Sequence, residues 1–294
     1  MAIINNIQKA VANTGANRVN MPDYASVRKL IITPLDFSFA TTDLAMVAAN
    51  WETAKKAAKG IRIYPLVAAV TSADKSQDLV VESRPLAGDK PIREGKSGIE
   101  MMFDVNVNIL KKLRTFNNYA GRVFLGDENN NIYGTSEDGT VFQGFQIQNI
   151  WTSNYKNAGD SEAPKAKMDL MLTAPIEQAD LGMVIKPTWN VYDLDGLYDV
   201  VGTVTNATTT GFKLQLQVED SGVDIQGLAK ADFVLTKAGV ATTITTITDN
   251  ADGTITFAAT LTSGTYTLTM VAASAISLTD WAIELKTPIT ITVS

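Results

Sequence analysis

The chain has 294 residues, enough for one large domain or two ordinary ones, and its 45% hydrophobic and 19% charged content suits a globular protein with a core of normal size. It contains no His and no Cys, which excludes a Ser-His-Asp triad, a Cys-His pair, thiolate or imidazole metal sites and disulfides, and leaves acid–base work to carboxylates, Lys or Tyr. The net charge of −6 is uneven: residues 195–294 carry 4 Lys, no Arg and 10 acids, whereas residues 1–194 hold 21 basic and 21 acidic side chains.

In chain order, the start "MAIINNIQKAVANTGANRVN" lacks a basic segment followed by an apolar one, and no apolar run reaches the roughly 20 residues that span a bilayer. Neither an export signal nor a membrane anchor is expected, and Met1–Asp23 reads as a polar arm outside any sheet. "TTDLAMVAANWETAKKAAKG" (Thr41–Gly60) predicts a helix. Thr41 or Thr42 caps it, Asp43 lies in its first turn and Lys55, Lys56 and Lys59 in its last, Gly60 follows, and Leu44, Val47, Ala48, Trp51 and Ala58 share a face. A second short helix is predicted in Asn108–Asn118, capped by Asn108, with Leu110 and Leu113 on one side.

Around the helices lie strand-like runs: "RKLIITPLDFSFA", "IRIYPLVAAV", "QDLVVESRPL", "GIEMMFDVNV", "GRVFLGD", "TVFQGFQIQNIWTSNY", "KMDLMLT" and "MVIKPTWNVY". In "FQIQNIW", Phe145, Ile147 and Asn149 fall on one face and Gln146, Gln148 and Ile150 on the other, an imperfect alternation that suits a strand contacted on both sides. The polar stretch Arg84–Gly98 between two good strands predicts the tip of a long hairpin projecting from the body.

The composition changes near Asn190–Asp199, which places a domain boundary between residues 194 and 195. Beyond it come short, Thr-rich strands at sandwich spacing. In "FKLQLQV", Phe212, Leu214, Leu216 and Val218 alternate with Lys213, Gln215 and Gln217, and "GTYTLTM" repeats the pattern with Tyr266, Leu268 and Met270. One face is buried and one wet.

Several stretches invite a chemical reading. "DENNNIYGTSED" sets Asp127, Asn129 and Asn131 at alternate positions, as an EF-hand loop begins, yet Ile132 stands where its Gly belongs and Asp138 where its Glu belongs. Asp127 to Asn131 is expected to be a polar turn. Gly134–Gly139 mimics a phosphate loop, but Thr140 replaces the required Lys. "EDGTVF" (Glu137–Phe142) and "ADGTITF" (Ala251–Phe257) are hairpin signals. Asp193 and Asp195 read as a linker turn, the sequon Asn206–Thr208 as chance, and Lys111 and Lys112 as a solvated helix face. Trp51, Trp151, Trp189 and Trp281 read as core or interface residues. No catalytic, cofactor-binding or metal-binding residue is assigned, and no basic patch for nucleic acid stands out. The missing His weighs against an enzyme, and none is expected.

The order strand "GIEMMFDVNV", helix "ILKKLRTF", strand "GRVFLGD", polar turn, long strand "TVFQGFQIQNIWTSNY", polar loop and closing strand "KMDLMLT" resembles the major tail tube protein of tailed bacteriophages. That resemblance implies a mainly β fold with an α+β first part. Residues 1–194 would form a β-sandwich or barrel with one or two flanking helices and a long hairpin, and residues 195–294 an immunoglobulin-like β-sandwich displayed outside. It implies a virion structural protein that self-assembles into stacked, usually hexameric rings. These would contact other tail proteins and pass DNA through the lumen, with a surface glycan as a further partner of the C-terminal domain. The helix at Thr41–Lys59 departs from the simplest family pattern. Other readings are a capsid decoration or head–tail connector protein, a carbohydrate-binding adhesin, and a carboxylate-dependent glycosidase.

Overall fold

The structure is a computed structural model that describes residues 3–5, 25–78, 80–82, 90–93, 95–153, 155–160, 163–173, 175–250, 252–271, 276–277 and 282–294. The protein is mainly β. It divides into two compact units, residues 1–55 with 60–195 and residues 56–59 with 196–294, so the main division falls one residue later than the composition step suggests.

In the first unit the strands are β1 (Ile3–Asn5), β2 (Val27–Thr33), β3 (Tyr64–Pro65), β4 (Thr71–Asp74), β5 (Val80–Glu82), β6 (Lys90–Arg93), β7 (Gly98–Asp104), β8 (Arg122–Asp127), β9 (Ile132–Thr135), β10 (Phe145–Thr152), β11 (Lys165–Leu172) and β12 (Gly182–Ile185). β2, β8, β10, β11, β7 and β4 pair antiparallel in that order. Residues 66–70 then bring the sheet back on itself. The amides of Leu66 and Ala69 donate to the carbonyls of Leu30 and Arg28 in β2 at 2.9 and 2.7 Å, and the next amide, Val70, donates to Met102 in β7 at 2.7 Å. The result is a small barrel whose inward side chains, among them Leu30, Val123, Phe145, Met168 and Phe103, form one core.

A second core lies on the other side of β2 and β8. Ile31 and Phe124 face it, and Phe39, Trp51, Phe142 and Val191 complete it. Trp51 stands 4.6 Å from Phe39 and 5.1 Å from Phe124, ring to ring. β9 and β12 extend the sheet over this core.

The predicted helix at Thr41–Gly60 is two helices, α1 (Thr42–Ala45) and α2 (Ala48–Lys55). Side chains take the place of the broken ladder: Asn50 Nδ2 donates to the Leu44 carbonyl and the Trp51 indole to Ala45, each at 2.8 Å. The step turns the buried face to Ala45, Met46, Trp51 and Lys55 and leaves Leu44 and Val47 exposed, contrary to the expected stripe. Thr41 holds the cap position without a side-chain cap bond. Gly60 does have a left-handed backbone, φ 98°, but five residues beyond the helix end.

α3 (Val107–Arg114) is capped by Asn106, whose side chain accepts from Ile109 N at 2.8 Å, not by Asn108; Leu110 and Leu113 are buried in the barrel core as expected. α4 (Pro175–Ala179) precedes β12. "IRIYPLVAAV" pairs as a strand only at Tyr64–Pro65; residues 66–70 serve the barrel closure above, and Ile63 enters the second core. The arm is not wholly outside the sheets, because β1 pairs antiparallel with β12, Ile3 opposite Ile185. The remainder of that prediction, residues 6–23, lies outside the described residues.

The second unit is a two-sheet sandwich. One sheet runs β17 (Ile244–Asp249), β18 (Thr254–Ala259), β14 (Gly211–Val218), β13 (Tyr198–Thr208), β21 (Ala282–Leu285) and β20 (Ile276–Ser277). The other runs β16 (Val240–Thr242), β15 (Phe233–Lys237), β19 (Gly264–Met270) and β22 (Ile289–Val293). Set in chain order, β13-β14-β18-β17 against β16-β15-β19-β22 is the immunoglobulin pairing of A-B-E-D with C′-C-F-G. The expected alternations hold: Phe212, Leu214, Leu216 and Val218 meet Tyr266, Leu268 and Met270 in the core between the sheets.

Tyr266 has a further role. Its hydroxyl donates to the Thr262 carbonyl at 3.1 Å and accepts from the Thr262 amide at 2.8 Å, the corner that pins the turn into strand F in this fold. Lys237 closes over it, 5.1 Å from the ring and bonded to Ser263 O at 2.7 Å. Tyr266→Phe removes both hydroxyl bonds and leaves a turn amide without its acceptor. The expected loss is about 1–3 kcal/mol, read as a lower denaturant midpoint of the second unit's transition with that of the first unchanged.

Candidate assembly surface

The stretch that begins like a calcium loop is a knot of internal hydrogen bonds. Asp127 is fully buried. Its Oδ1 accepts from the amides of Asn129 and Asn131 at 3.0 and 2.9 Å, and its Oδ2 from Ala25 N at 3.1 Å, Asn131 Nδ2 at 2.8 Å and the Tyr133 hydroxyl. Five donors occupy the lone pairs that a cation would need. Among the described residues no cluster of three or more Asp or Glu could hold a metal ion. Asp127–Asn131 is the expected turn, joining β8 to β9, which begins at Ile132.

Asn130, at φ 65°, extends the knot outward: its Nδ2 donates to the carbonyls of Trp189 and Pro187 at 2.7 and 3.2 Å, and its Oδ1 accepts from Val191 N at 2.8 Å. The phosphate-loop mimic is a loop closed on itself. Asp138 Oδ1 accepts from Thr140 N and Val141 N, and these two bonds, the largest influence, hold its carboxyl below the usual range. Both Asp-Gly turns have left-handed glycines, Gly139 at φ 76° and Gly253 at φ 80°.

Asp193 and Asp195 both lie near enough to act on the charge of Lys29, with different direct partners. Asp193 accepts from Asn190 Nδ2 at 2.9 Å, whereas Asp195 lies 3.9 Å from the ammonium of Lys29, which is 1% exposed. Asn206 is exposed with φ 52° at an irregularity in β13. Lys111 is exposed and Lys112 half-buried on α3. Trp51 is core, and Trp189 is half-buried with its indole on Met46 O at 3.0 Å. Trp281 lies outside the described residues.

Trp151 is different: it is 46% exposed, on the outer wall of the barrel. That wall is formed by β10, β11, β7 and β4. Trp151, Asp169, Glu100 and Ala73 stand in one cross-strand row. Glu100 bonds Lys167 at 2.7 Å and Lys75 at 2.8 Å, and Lys167 lies 3.5 Å from Asp169. The hydrogen bonds from Lys167 and then Lys75 hold the Glu100 carboxyl below its usual range. Met102 and Met171 are half-buried beside this network.

From the same wall rises the expected hairpin. Above β4 and β7 the ladder continues through Gln77 and Lys96, bonded both ways at 2.7 and 3.0 Å, to the pair β5–β6. "KPIR", read as part of the tip, is thus strand β6, while residues 84–89 and 94 lie outside the described residues. Val80 and Val81 are 40% and 46% exposed. A two-stranded ladder is marginal in water by itself.

No protein-family model matches the chain, and no curated protein matches it in sequence.

Two outcomes test these assignments. Asp127→Ala strands several buried donors and should lower stability by about 3–5 kcal/mol in urea titrations, while added calcium leaves the wild-type midpoint unmoved. Lys29 titrates below the ordinary lysine value, chiefly because burial disfavours its charge, with Asp195 opposing. Between its folded and unfolded values the unfolded chain binds more protons, so its contribution to stability rises as pH climbs through the folded value. Lys29→Met should therefore stabilise the first unit by about 1–2 kcal/mol at neutral pH, with the gain shrinking in alkaline solution.

Proposed function

We propose that this chain is a structural subunit that assembles with copies of itself into stacked rings, as the tail tube of a bacteriophage particle. The observation that carries the reading is the β5–β6 hairpin standing on an uncovered barrel wall. In a single copy its exposed valines cover no core, and a neighbouring copy would supply the missing partner. A head-to-tail contact of this kind closes into rings when the rotation between copies permits. The neutral first part, with 21 basic and 21 acidic residues, lets copies stack with little long-range repulsion, and the acidic sandwich keeps the particle soluble. On this reading the protein resides in the virion tail, contacts other tail proteins, and meets DNA only as it passes through the lumen. Its work is architectural and not catalytic.

Negative-stain electron microscopy and light scattering of the purified chain across a concentration series test the proposal. Rings or tubes of uniform diameter are expected. A chain that stays monomeric at every concentration sinks the reading.

A further inference from the structure

Strand β10 does something its sequence pattern does not call for. Phe145 and Ile147 point into the barrel, and strict alternation from them would send Asn149 and Trp151 inward and Ile150 out to solvent. Instead the register with β11 shifts between Ile147 and Asn149. Gln148 and Asn149 are both exposed, Ile150 is fully buried, and Trp151 faces out. Beyond the shift, Thr152 turns inward and donates to the Leu113 carbonyl of α3 at 3.2 Å. A bulge of this sort re-aims side chains. Here it exchanges an isoleucine for the largest apolar side chain the chain possesses and leaves that side chain in water.

The surroundings say what such a side chain can meet. On one side are Asn149 and Gln148, whose Oε1 accepts from the Lys96 ammonium at 3.1 Å; on the other is Asp169, already paired with Lys167. On the wall's outer face Lys75 and Lys167 are paired with Glu100 and Asp169, and Lys165 stands opposite Asp104 across β11 and β7. A strongly charged partner would have to break these pairs to gain anything, so the wall favours a partner without net charge. The first part of this same chain is such a body, and it brings uncovered apolar side chains, Val80 and Val81, that a single copy leaves solvated.

We infer that Trp151 is the anchor of a contact between copies of this chain, seated on the barrel wall by the bulge at Gln148. The inference rests on the assembly reading and gives it a residue. Tryptophans flanked by polar side chains that exclude water are the usual high-energy positions of protein contacts.

The test compares the full-length chain with Trp151→Asp and Trp151→Phe. It measures the concentration at which particles appear, the thermal midpoint, and oxidative footprinting of Trp151 read by mass spectrometry. Three results are expected together. Trp151 becomes protected in wild-type particles. Trp151→Asp raises the critical concentration roughly tenfold or more without lowering the thermal midpoint, and Trp151→Phe restores most of the assembly. If particles form with Trp151 still reactive, or form equally well with Trp151→Asp, the anchor is wrong and the assembly reading stands. Trp151 protected by neutral oligosaccharides but not by assembly would also overturn the anchor, making the wall a sugar site. If the wild-type chain forms no particles, both readings fall.

Discussion

The first unit depends on two adjacent strands that are buried on both faces. In β2, Leu30 and Ile32 enter the barrel while Ile31 enters the second core; in β8, Val123 and Leu125 enter the barrel while Phe124 enters the second core. The middle of each, Leu30–Ile32 and Val123–Leu125, is an unbroken apolar run because neither side of it is wet. Most of the unit's other elements are placed by one of these two faces. The barrel strands, with α3, close over one; α1, α2, β9, β12 and the segment around Val191 close over the other. A single substitution at Phe124 touches Phe39, Trp51 and Phe142 through ring contacts, so the second core behaves as one aromatic cluster and not as a set of independent contacts.

The second unit is organised differently. Its strands are buried on one face only, and the clean alternation of "FKLQLQV" made that legible from residue order alone. The sandwich and the buried sets around Phe212 and Tyr266 were therefore readable. The corner at Tyr266 was not, because a hydroxyl bond four residues back leaves no mark beyond a tyrosine at an inward position.

In the first unit, legibility failed wherever side chains replaced backbone partners. The helix through Thr41–Gly60 looked continuous because nothing in its spacing reveals that Asn50 and Trp51 would take the carbonyls of Leu44 and Ala45. The arm looked sheetless because three residues, Ile3–Asn5, too few to read as a strand, suffice to extend an existing edge. The wall around Trp151 was hidden for the opposite reason: its imperfect alternation was visible, and was attributed to contact on both faces when its cause is a bulge. The bulge buries Ile150 and Thr152 but leaves Trp151 exposed, and such a mismatch is where function is worth seeking.

Asn130 carries a consequence for modularity. It binds the chain at Pro187, Trp189 and Val191, and Val191 and Leu194 are themselves part of the second core. The exit from the first unit is thus woven into it as far as Asp195, and the covalent bridge to the sandwich begins only at Gly196. A fragment ended where the composition first changes, near Asn190, would lose core residues. One carried through Gly196 keeps them all. Exchange of the sandwich would therefore cut the chain at Gly196 and not at Asn190.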